Sequence, residues 1–540
     1  MYIGGIWGRA TSPVGGRADF AAGSLRLCWG HFVTTHEDER RFVATQGQAF
    51  DCPFTGAAID PHRLESAYGL FFYVVYEKLT DTVSLGTDRF GYFPLYYALQ
   101  NERFIFGSSL EFVKNQLERR EPDYEAWEEL MVLGDVIGEK TTVKQIKRLQ
   151  EGTRINIKTN GIEFHRFWRP EVPDPVDESK YVRENNVLLE EAMSLTVGQS
   201  RAKAVLLSGG EDSRRIALAA ARQDLAADFY TQESIYKGRY RVHVDRDVRL
   251  AARVAALLGR PHHIEPMPHI DQHLSNSKLR DTRLGFECIA HEWLLPLARR
   301  ISPESLIYDG VVGDITINGH YFKEFPAAVE KYRDVDGLAA MICVKPQHPW
   351  LDEFRRRGET TLIERVRLLL ASYPDSHHRL TYYFVLNHAR RKTALVSQLF
   401  GMYGHWTCHP FLYYPLFIQS LSSDPRLQLE KFYQRECMAA LAPEILSVPT
   451  TREKLWEEWL ISRGSENASQ EAYLLRHLRV SDAALELFPE FRSRYRIVRA
   501  LSSVSGKLLR RFGWFILPLA RFSAFLEWLE RDDRASDGAR

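Results

Sequence analysis

The pattern of apolar and polar positions first predicts β structure, from residue 1 to about 168. Short aromatic and β-branched runs, such as Leu70–Tyr76 and Phe104–Phe106, alternate with Gly, Asp and Asn turns. A helical pattern over Tyr124–Leu133 interrupts the strands, and Asn160-Gly161 predicts a hairpin turn. We therefore expect a β-rich first domain.

A different pattern follows a linker that is rich in proline and charge. Long helical patterns alternate with the short apolar runs Ala204–Leu207, Asp228–Thr231 and Ser305–Tyr308, and from about Leu351 the chain is mainly helical. This alternation predicts βαβ units in a parallel sheet covered by helices. The expected divisions are a first domain at 1–168, a linker at 169–180, a second domain at 181–480 and a helical extension at 481–540.

The end of the chain carries an apolar stripe at helical spacing. It consists of Phe515, Leu519, Phe522, Leu526 and Leu529, and basic residues precede it. Two interpretations are open: a terminal helix that docks on its own domain, or a helix over 505–531 that contacts a membrane surface or a partner.

Charge and composition narrow the function classes. The 540 residues include 71 Lys and Arg against 70 Asp and Glu, so no net field attracts the chain to nucleic acid. Six scattered cysteines form no CxxC pair, no secretory leader is recognisable, and no apolar run reaches the ~18 residues of a membrane span. We expect a soluble, cytoplasmic protein without a nucleic-acid partner.

The most informative segment follows the apolar run Ala204–Leu207 and reads Ser-Gly-Gly-Glu-Asp-Ser over 208–213. Glycines permit close backbone approach, the serines offer hydroxyl groups, and the alanine-rich helix that follows presents free N–H groups to an anion. Asp212 suits Mg²⁺ beside phosphate oxygens. The segment is not a Walker loop. By itself it is equally typical of a tight turn with Asp212 as a helix-start charge.

The segment at 208–213 resembles the SGGxDS motif of the PP-loop ATP pyrophosphatases. Other segments of the sequence narrow the resemblance to the asparagine synthetase class B family, which is related to β-lactam synthetases and lasso-peptide cyclases. The matching segments recur in family order from residue 3 to about 460. They are 87–97 (DRxGxxPLYY), 104–110, 245–264 (the LGxxHH turn), 309–314 (SGEGxDE) and 410–412 (PFLD).

The resemblance implies an α/β multidomain protein. Its first part would be an N-terminal Ntn-type αββα sandwich, glutaminase-like, and its second a C-terminal PP-loop ATP pyrophosphatase domain, adenine nucleotide α-hydrolase-like, with a helical C-terminal region. The implied cofactors are ATP and Mg²⁺. The residues carried over for ATP and pyrophosphate are Leu207, Ser208, Gly209, Gly210, Asp212, Ser213 and Gly310.

The resemblance also implies roles for three charged residues. Asp212 and Asp314 match the two metal carboxylates of the family. Lys454 lies where the family has a lysine that neutralises charge during adenylation, so Lys454 and Asp212 are the expected catalytic residues.

The sequence departs from the family pattern in both parts. Gly4 aligns with the nucleophilic cysteine of the glutaminase, so we expect the first domain to be inactive, since no thiolate is available to attack glutamine. In the second part Val311 and Ile315 replace acidic residues, and Tyr413 replaces the aspartate of PFLD. Nucleotide activation is expected to be retained and acceptor chemistry to be altered.

The implied function is an ATP-dependent ligase that forms amide bonds. It would activate a small-molecule or peptide carboxylate as an acyl adenylate and transfer the acyl group to ammonia or an amine. Two alternatives stay open: an intramolecular lactam or macrolactam cyclase, and a pseudoenzyme that binds nucleotide without turnover.

Overall fold

The computed structural model describes the larger part of the chain. The described residues are 4–7, 24–36, 39–49, 65, 67–77, 79–196, 202–233, 246–288, 294–343, 351–430, 433–450, 478–501 and 515–531. Within them the protein has mixed α/β architecture, with two antiparallel sheets and one parallel sheet.

The first part of the chain forms the two antiparallel sheets. One has four strands in the order β1-β7-β6-β8, and the other has six in the order β10-β9-β5-β4-β2-β3. The strands are β1 Gly4–Trp7, β2 Ser24–His36, β3 Glu39–Ala49, β4 Tyr68–Glu77, β5 Thr82–Thr87, β6 Tyr96–Gln100, β7 Arg103–Gly107, β8 Lys147–Arg148, β9 Thr153–Lys158 and β10 Gly161–Arg166.

Alternating apolar positions pack these two sheets face to face. Phe72 and Leu85 of the six-stranded sheet share a core with Phe104 of the four-stranded sheet. Strands β9 and β10 pair from Gly161 and Lys158 outward, as the predicted hairpin requires. The β-rich first part is therefore confirmed.

Two helices connect the strands of this part, α1 Leu110–Gln116 and α2 Tyr124–Leu133. Helix α2 has the bounds that the sequence predicts. The Asp123 carboxylate accepts the Ala126 N–H and caps its start, and Gly134 ends it in the left-handed conformation at φ 89°.

The parallel sheet has the order β13-β12-β11-β14-β15, and each adjacent pair is parallel. Its strands are β11 Lys203–Leu206, β12 Ala227–Gln232, β13 His262–Glu265, β14 Leu306–Tyr308 and β15 Trp406–Cys408. The sequence pattern predicted β11, β12 and β14, but not the three-residue β15.

Helices α3 to α7 belong to this sheet region. They are α3 Glu178–Ser194, α4 Glu211–Arg222, α5 Arg246–Leu257, α6 Ile270–Arg283 and α7 Leu294–Arg300. Residues 169–177, most of the predicted linker, form no helix or strand before α3 begins. Alanines of α4 and α5, such as Ala217 and Ala251, pack against Val205 and Phe229 of the sheet in one core.

The part of the chain that the structure describes from Gly313 onward is mainly helical, as predicted from about Leu351. Its α-helices are α8 Gly313–Thr316, α9 His320–Glu324, α10 Ala327–Glu330, α11 Val335–Ile342, α12 Leu351–Arg357, α13 Leu362–Ala371, α14 Arg379–Tyr383, α15 Arg390–Gly401, α16 Tyr414–Ser420, α17 Pro425–Glu430, α18 Tyr433–Leu441, α19 Asp482–Leu487, α20 Pro489–Leu501 and α21 Ile516–Glu530. A π-helical turn, Phe384–Ala389, and 3₁₀ turns at Pro410–Leu412 and Pro443–Ser447 complete it.

The last helix, α21, packs on the first part of the chain. Its Phe522 and Phe525 rings lie 4.9 Å from the Trp127 ring of α2. The Lys114 ammonium, which is fully buried, donates to the carbonyl oxygens of Trp528 at 2.7 Å and Arg531 at 2.9 Å. The apolar stripe therefore faces the protein interior. Membrane contact through 505–531 stays an untested prediction.

None of the described helices has both the length and the apolar composition that a membrane crossing requires.

Candidate functional site

The strand order reverses direction between β11 and β14. From β11 the chain steps outward to β12 and β13, and then it returns to β14 on the other side of β11. Ligands of open parallel sheets bind at such a reversal, outside the carboxyl ends of the two strands. The segments 207–213 and 309–314 leave those two ends, so the fold brings together the two motifs that the sequence singles out.

The first of these segments, Ser208–Ser213, is ordered by hydrogen bonds among its own groups. The Ser208 N–H donates to Ser213 Oγ at 3.0 Å, and the two hydroxyl oxygens lie 2.9 Å apart. The Gly210 N–H donates to Ser208 Oγ at 3.1 Å. We call this segment the phosphate loop. Leu207 anchors its start, since this residue is buried and donates its N–H to the Tyr230 carbonyl.

Helix α4 begins at Glu211, directly after Gly210. No side chain caps its start by a hydrogen bond, and Glu211 and Asp212 occupy its first turn, where the helix dipole favours negative charge. The free N–H groups of such a start are suited to bind a phosphate.

The second segment packs directly against the phosphate loop. A Cβ atom on Gly310 would lie 2.8 Å from the Ser213 nitrogen and 2.9 Å from the Asp212 carbonyl carbon. A Cβ atom on Gly313 would lie 2.9 Å from Asp212 Oδ1. Backbone atoms therefore require glycine at position 310, whereas a side chain at position 313 would crowd the side chains of Asp212, Gln434 and Phe411. Asp314 follows Gly313 directly and, like Asp212, is half-buried.

The loop between these glycines is strained. Val312 is buried and adopts φ 81°, a left-handed conformation that β-branched residues rarely take. Strain of this kind persists only where the surrounding structure imposes it, and it is frequent at functional sites.

Polar side chains from distant parts of the chain hold Asp212 in place. The Gln434 amide donates to Asp212 Oδ1, and the Arg215 guanidinium donates to the amide oxygen of Gln434 at 2.8 Å. The Asn318 carboxamide links the Gln434 N–H to Glu211 Oε2. The sequence analysis missed Gln434 and Asn318, because no local pattern signals contacts made across more than 100 residues.

A third carboxyl group, Asp309, begins the segment 309–314, directly after β14. Burial raises the pKa of this carboxyl to about 7, and hydrogen bonds from the Val311 and Gly310 N–H groups partly oppose that rise. Asp309 occupies the position of the serine of SGEGxDE, and the sequence analysis gave it no role.

The three departures from the family pattern lie at the same end of the sheet. Ile315 is buried, Val311 is half-buried, and neither provides an acid or a base. The Tyr413 hydroxyl donates to Glu191 Oε1 at 2.8 Å in the interior, so it points to α3 and forms a structural hydrogen bond.

The donor set fits a divalent cation that is shared with phosphates. Among the described residues no three His, Cys, Asp or Glu side chains are grouped to hold a metal ion. Mg²⁺ in nucleotide sites takes one or two carboxylates and completes its shell with phosphate oxygens and water. Asp212 and Asp314 supply that number, and both are half-buried on the two segments that pack together at Gly310 and Gly313.

Two further residues that the sequence singles out are Lys454 and Gly4. Lys454 falls outside the described residues. Gly4 is the first residue of β1, which pairs with β7, so the backbone of the expected nucleophile position lies in the four-stranded sheet.

A cavity of about 640 Å³ lies away from these motifs, between residues 122–150 and 357–372. Its carboxylates are largely paired with its own cations, for example Glu129 with Arg365 at 2.6 Å and Glu125 with Lys140. The cavity therefore presents no excess of either charge to a ligand.

Comparison with known proteins agrees with the motifs. Residues 57–168 match the glutamine amidotransferase domain family. A stretch of 196 residues is 25% identical to asparagine synthetase [glutamine-hydrolyzing] 1 of Bacillus subtilis strain 168. The resemblance to the asparagine synthetase family is confirmed. The alignment covers 35% of this chain and 30% of that synthetase, so the chain spans less than a third of the relative it matches.

Solved structures also match, among them the following two. One is glutamine phosphoribosylpyrophosphate amidotransferase from B. subtilis in complex with ADP and GMP, at 9% identity, covering 47% of this chain and 45% of that one. The other is described as the allosteric regulatory enzyme of purine biosynthesis, at 10% identity, covering 38% and 50%. Both TM-scores are 0.14, so neither match carries an argument about fold or function.

Proposed function

We propose that the chain is an ATP-dependent ligase that activates a carboxylate as an acyl adenylate and transfers the acyl group to ammonia or an amine. One observation carries the proposal: the phosphate loop and the segment 309–314 pack together at the reversal point of the parallel sheet. The similarity to an asparagine synthetase supports an amide-forming ligase in general. In this proposal the parallel-sheet region is a PP-loop ATP pyrophosphatase domain.

Each site residue has a role that follows from its chemistry. Backbone N–H groups and hydroxyls of Ser208–Ser213, together with Gly310, would hold the phosphates of ATP. Asp212 and Asp314 would hold Mg²⁺, which neutralises phosphate charge when bound. Lys454 would add a positive charge for the departing pyrophosphate.

The proposed reaction has two steps. A carboxylate oxygen of the substrate attacks the α-phosphorus of ATP, the bond to the β-phosphate oxygen breaks, and pyrophosphate leaves. An amine nitrogen then attacks the acyl carbon, the carbon–oxygen bond to AMP breaks, and the nitrogen loses a proton. The first step concentrates negative charge, and the N–H groups of the phosphate loop are suited to stabilise it.

The amine donor is proposed to come from outside the chain. Gly4 has no side chain to attack glutamine, and the amidotransferase match begins at residue 57, downstream of that position. Ring closure within one substrate, as in β-lactam synthetases and lasso-peptide cyclases, is the second candidate. The missing nucleophile favours it, since an internal amine requires no glutaminase.

Exchange of labelled pyrophosphate into ATP tests the first step. We expect carboxylate-dependent exchange by the wild-type protein and at least a hundredfold loss in Asp212→Ala, because a metal carboxylate is removed. Asp336→Ala is a suitable control, since Asp336 is exposed on α11. No exchange with any member of a broad carboxylate panel would contradict the proposal. Binding of ATP and Mg²⁺ without AMP release would instead indicate the pseudoenzyme.

A further inference from the structure

Helix α4 carries two buried side chains of opposite charge that do not pair with each other. Glu211 and Arg215 are four residues apart, a spacing at which acidic and basic side chains commonly form an ion pair. Their exposed fractions are only 5% and 1%. In the described part of the chain the Arg215 guanidinium donates to no carboxylate, whereas the buried Arg391 pairs with Glu287 at 2.6 Å. Other polar groups must therefore satisfy both charges, since an unsatisfied buried charge is costly.

Carboxamide groups satisfy these charges, and Gln434 is the residue that connects them. Arg215 donates from Nη1 to Gln434 Oε1 at 2.8 Å and from Nη2 to Asn186 Oδ1 at 3.0 Å. On the other side, Asn318 donates to Glu211 Oε2 at 2.8 Å and accepts the Gln434 N–H at 3.1 Å. Gln434 is thus held by Arg215 at its side chain and by Asn318 at its backbone.

The contact with Arg215 also decides which way the Gln434 amide points. An arginine only donates hydrogen bonds, so the amide oxygen must face Arg215 and the amide nitrogen must face away from it. That nitrogen donates to Asp212 Oδ1. Because the amide is neutral, it orients the carboxylate without neutralising its charge.

The same amide nitrogen lies against the segment 309–314. A Cβ atom on Gly313 would lie 2.8 Å from Gln434 Nε2 and 2.9 Å from Asp212 Oδ1, so the amide and the carboxylate both lie beside this glycine. Asp314, the other expected metal carboxylate, directly follows Gly313. Gln434 therefore lies where the two carboxylate-bearing segments meet, although it belongs to neither.

We propose that Gln434 is a positioning residue that holds the Asp212 carboxylate in the orientation in which it binds Mg²⁺ together with Asp314. Arg215 acts one step further away, because it fixes the direction of the amide. The binding of Mg²⁺ rests on the proposed function, whereas the hydrogen bonds that connect Arg215, Gln434 and Asp212 depend on no ligand.

Calorimetry of ATP binding by the full chain, with and without Mg²⁺, tests this role. The measured quantity is the factor by which Mg²⁺ strengthens binding, which is the Kd for ATP in EDTA divided by the Kd in excess Mg²⁺. In Gln434→Met we expect this factor to fall at least fivefold while the Kd in EDTA changes less than threefold, because the phosphate loop keeps its own hydrogen bonds. An unchanged factor, including equal weakening in both buffers, would overturn the proposal.

Arg215→Lys provides a second variant if Gln434→Met folds poorly. It keeps the charge but loses the planar fork that reaches two carboxamides, so the same factor should fall at least threefold. The matched controls are Gln223→Met and Arg222→Lys at the far end of α4. There Gln223 donates to the Glu190 carbonyl oxygen, and Arg222 forms an exposed pair with the Glu190 carboxylate. Both controls should keep the wild-type factor, and a comparable fall in either would overturn the specific role.

A double-variant cycle without ligand separates this proposal from the proposed function. Thermal midpoints are measured for Asp212→Ala, Gln434→Met and the double variant. If Gln434 holds Asp212, the midpoint loss of the double variant should be smaller than the sum of the single losses by about 1 °C or more. Additive losses would overturn the connection. If the wild-type protein does not bind ATP, the proposed function fails, and the cycle still decides whether Gln434 holds Asp212.

Discussion

At the scale of single residues, the site depends on absent side chains as much as on present ones. Gly310 and Gly313 permit contact between the phosphate loop and the segment 309–314, and Asp212 is held from one side by Gln434. The sequence predicted a phosphate-binding turn at Ser208–Ser213, because a strand followed by a turn of small residues is visible in the local sequence. It did not predict Gln434, which contacts Asp212 across 222 residues of the sequence.

Gly310 provides the sharpest test at this scale. A methyl group at this position would lie 2.8 Å from the Ser213 nitrogen, and backbone atoms have little freedom to move away. We expect Gly310→Ala to weaken ATP binding at least tenfold, measured by calorimetry.

The matched control is Gly401→Ala. Gly401 ends α15, and a Cβ atom there would meet nothing within 4 Å. Alanine stabilises a helix by up to about 1 kcal/mol relative to glycine, so this variant should bind ATP normally and unfold at the same or a higher temperature. Equal ATP binding by both variants would show that the contact at Gly310 is not needed.

At the scale of elements, periodicity predicted those helices and strands that bury one face. Helix α2 and strands β4, β7, β11, β12 and β14 were predicted within one or two residues of their bounds. Strand β15 was not predicted, because Thr407 interrupts its apolar residues, so it forms no apolar run like that of β14, and its place is set by pairing with β14. The sequence also could not show that the apolar stripe on α21 packs against Trp127, since Trp127 lies about 400 residues earlier.

Lys114 supplies a prediction about α21. Its buried ammonium donates to two carbonyl groups at the negative end of that helix, an arrangement that the helix dipole favours. Lys114→Met removes the charge and leaves the carbonyl groups without these donors. We expect a loss of about 2 kcal/mol in the free energy of unfolding, seen as a lower thermal midpoint.

Lys144→Met is the control for this variant. Lys144 is exposed and lies 3.4 Å from Glu359, a surface pair of the kind that contributes little. Its free energy of unfolding should change by about 0.5 kcal/mol or less. Identical midpoints for Lys114→Met and Lys144→Met would show that the contact with α21 contributes nothing measurable.

At the scale of the whole molecule, the antiparallel and parallel sheets belong to regions joined by buried hydrogen bonds. Glu287 accepts from Arg391 at 2.6 Å and from the Tyr96 hydroxyl at 2.6 Å, and all three side chains are buried. Family resemblance predicted both regions, whereas their mutual packing follows from contacts that no sequence motif encodes.

The region of antiparallel sheets should not supply ammonia. We expect no release of glutamate from glutamine by the purified protein, measured with a coupled dehydrogenase, because the family resemblance aligns Gly4, which has no side-chain nucleophile, with the cysteine of the glutaminase. In the proposed reaction, glutamine should therefore not replace ammonia or an amine. Glutamate release above that of a heat-inactivated sample would contradict this prediction.

The reversal of strand order also has a consequence for synthesis on the ribosome. The parts of the chain that meet at the proposed ATP site are 208–213, 309–314 and Gln434, and 222 residues separate Asp212 from Gln434. At roughly 5–20 residues per second, about 10–50 s pass between their translation. During that interval the nascent chain carries a phosphate loop without its partners. The proposed nucleotide site is thus completed late, when most of the polypeptide has already been translated.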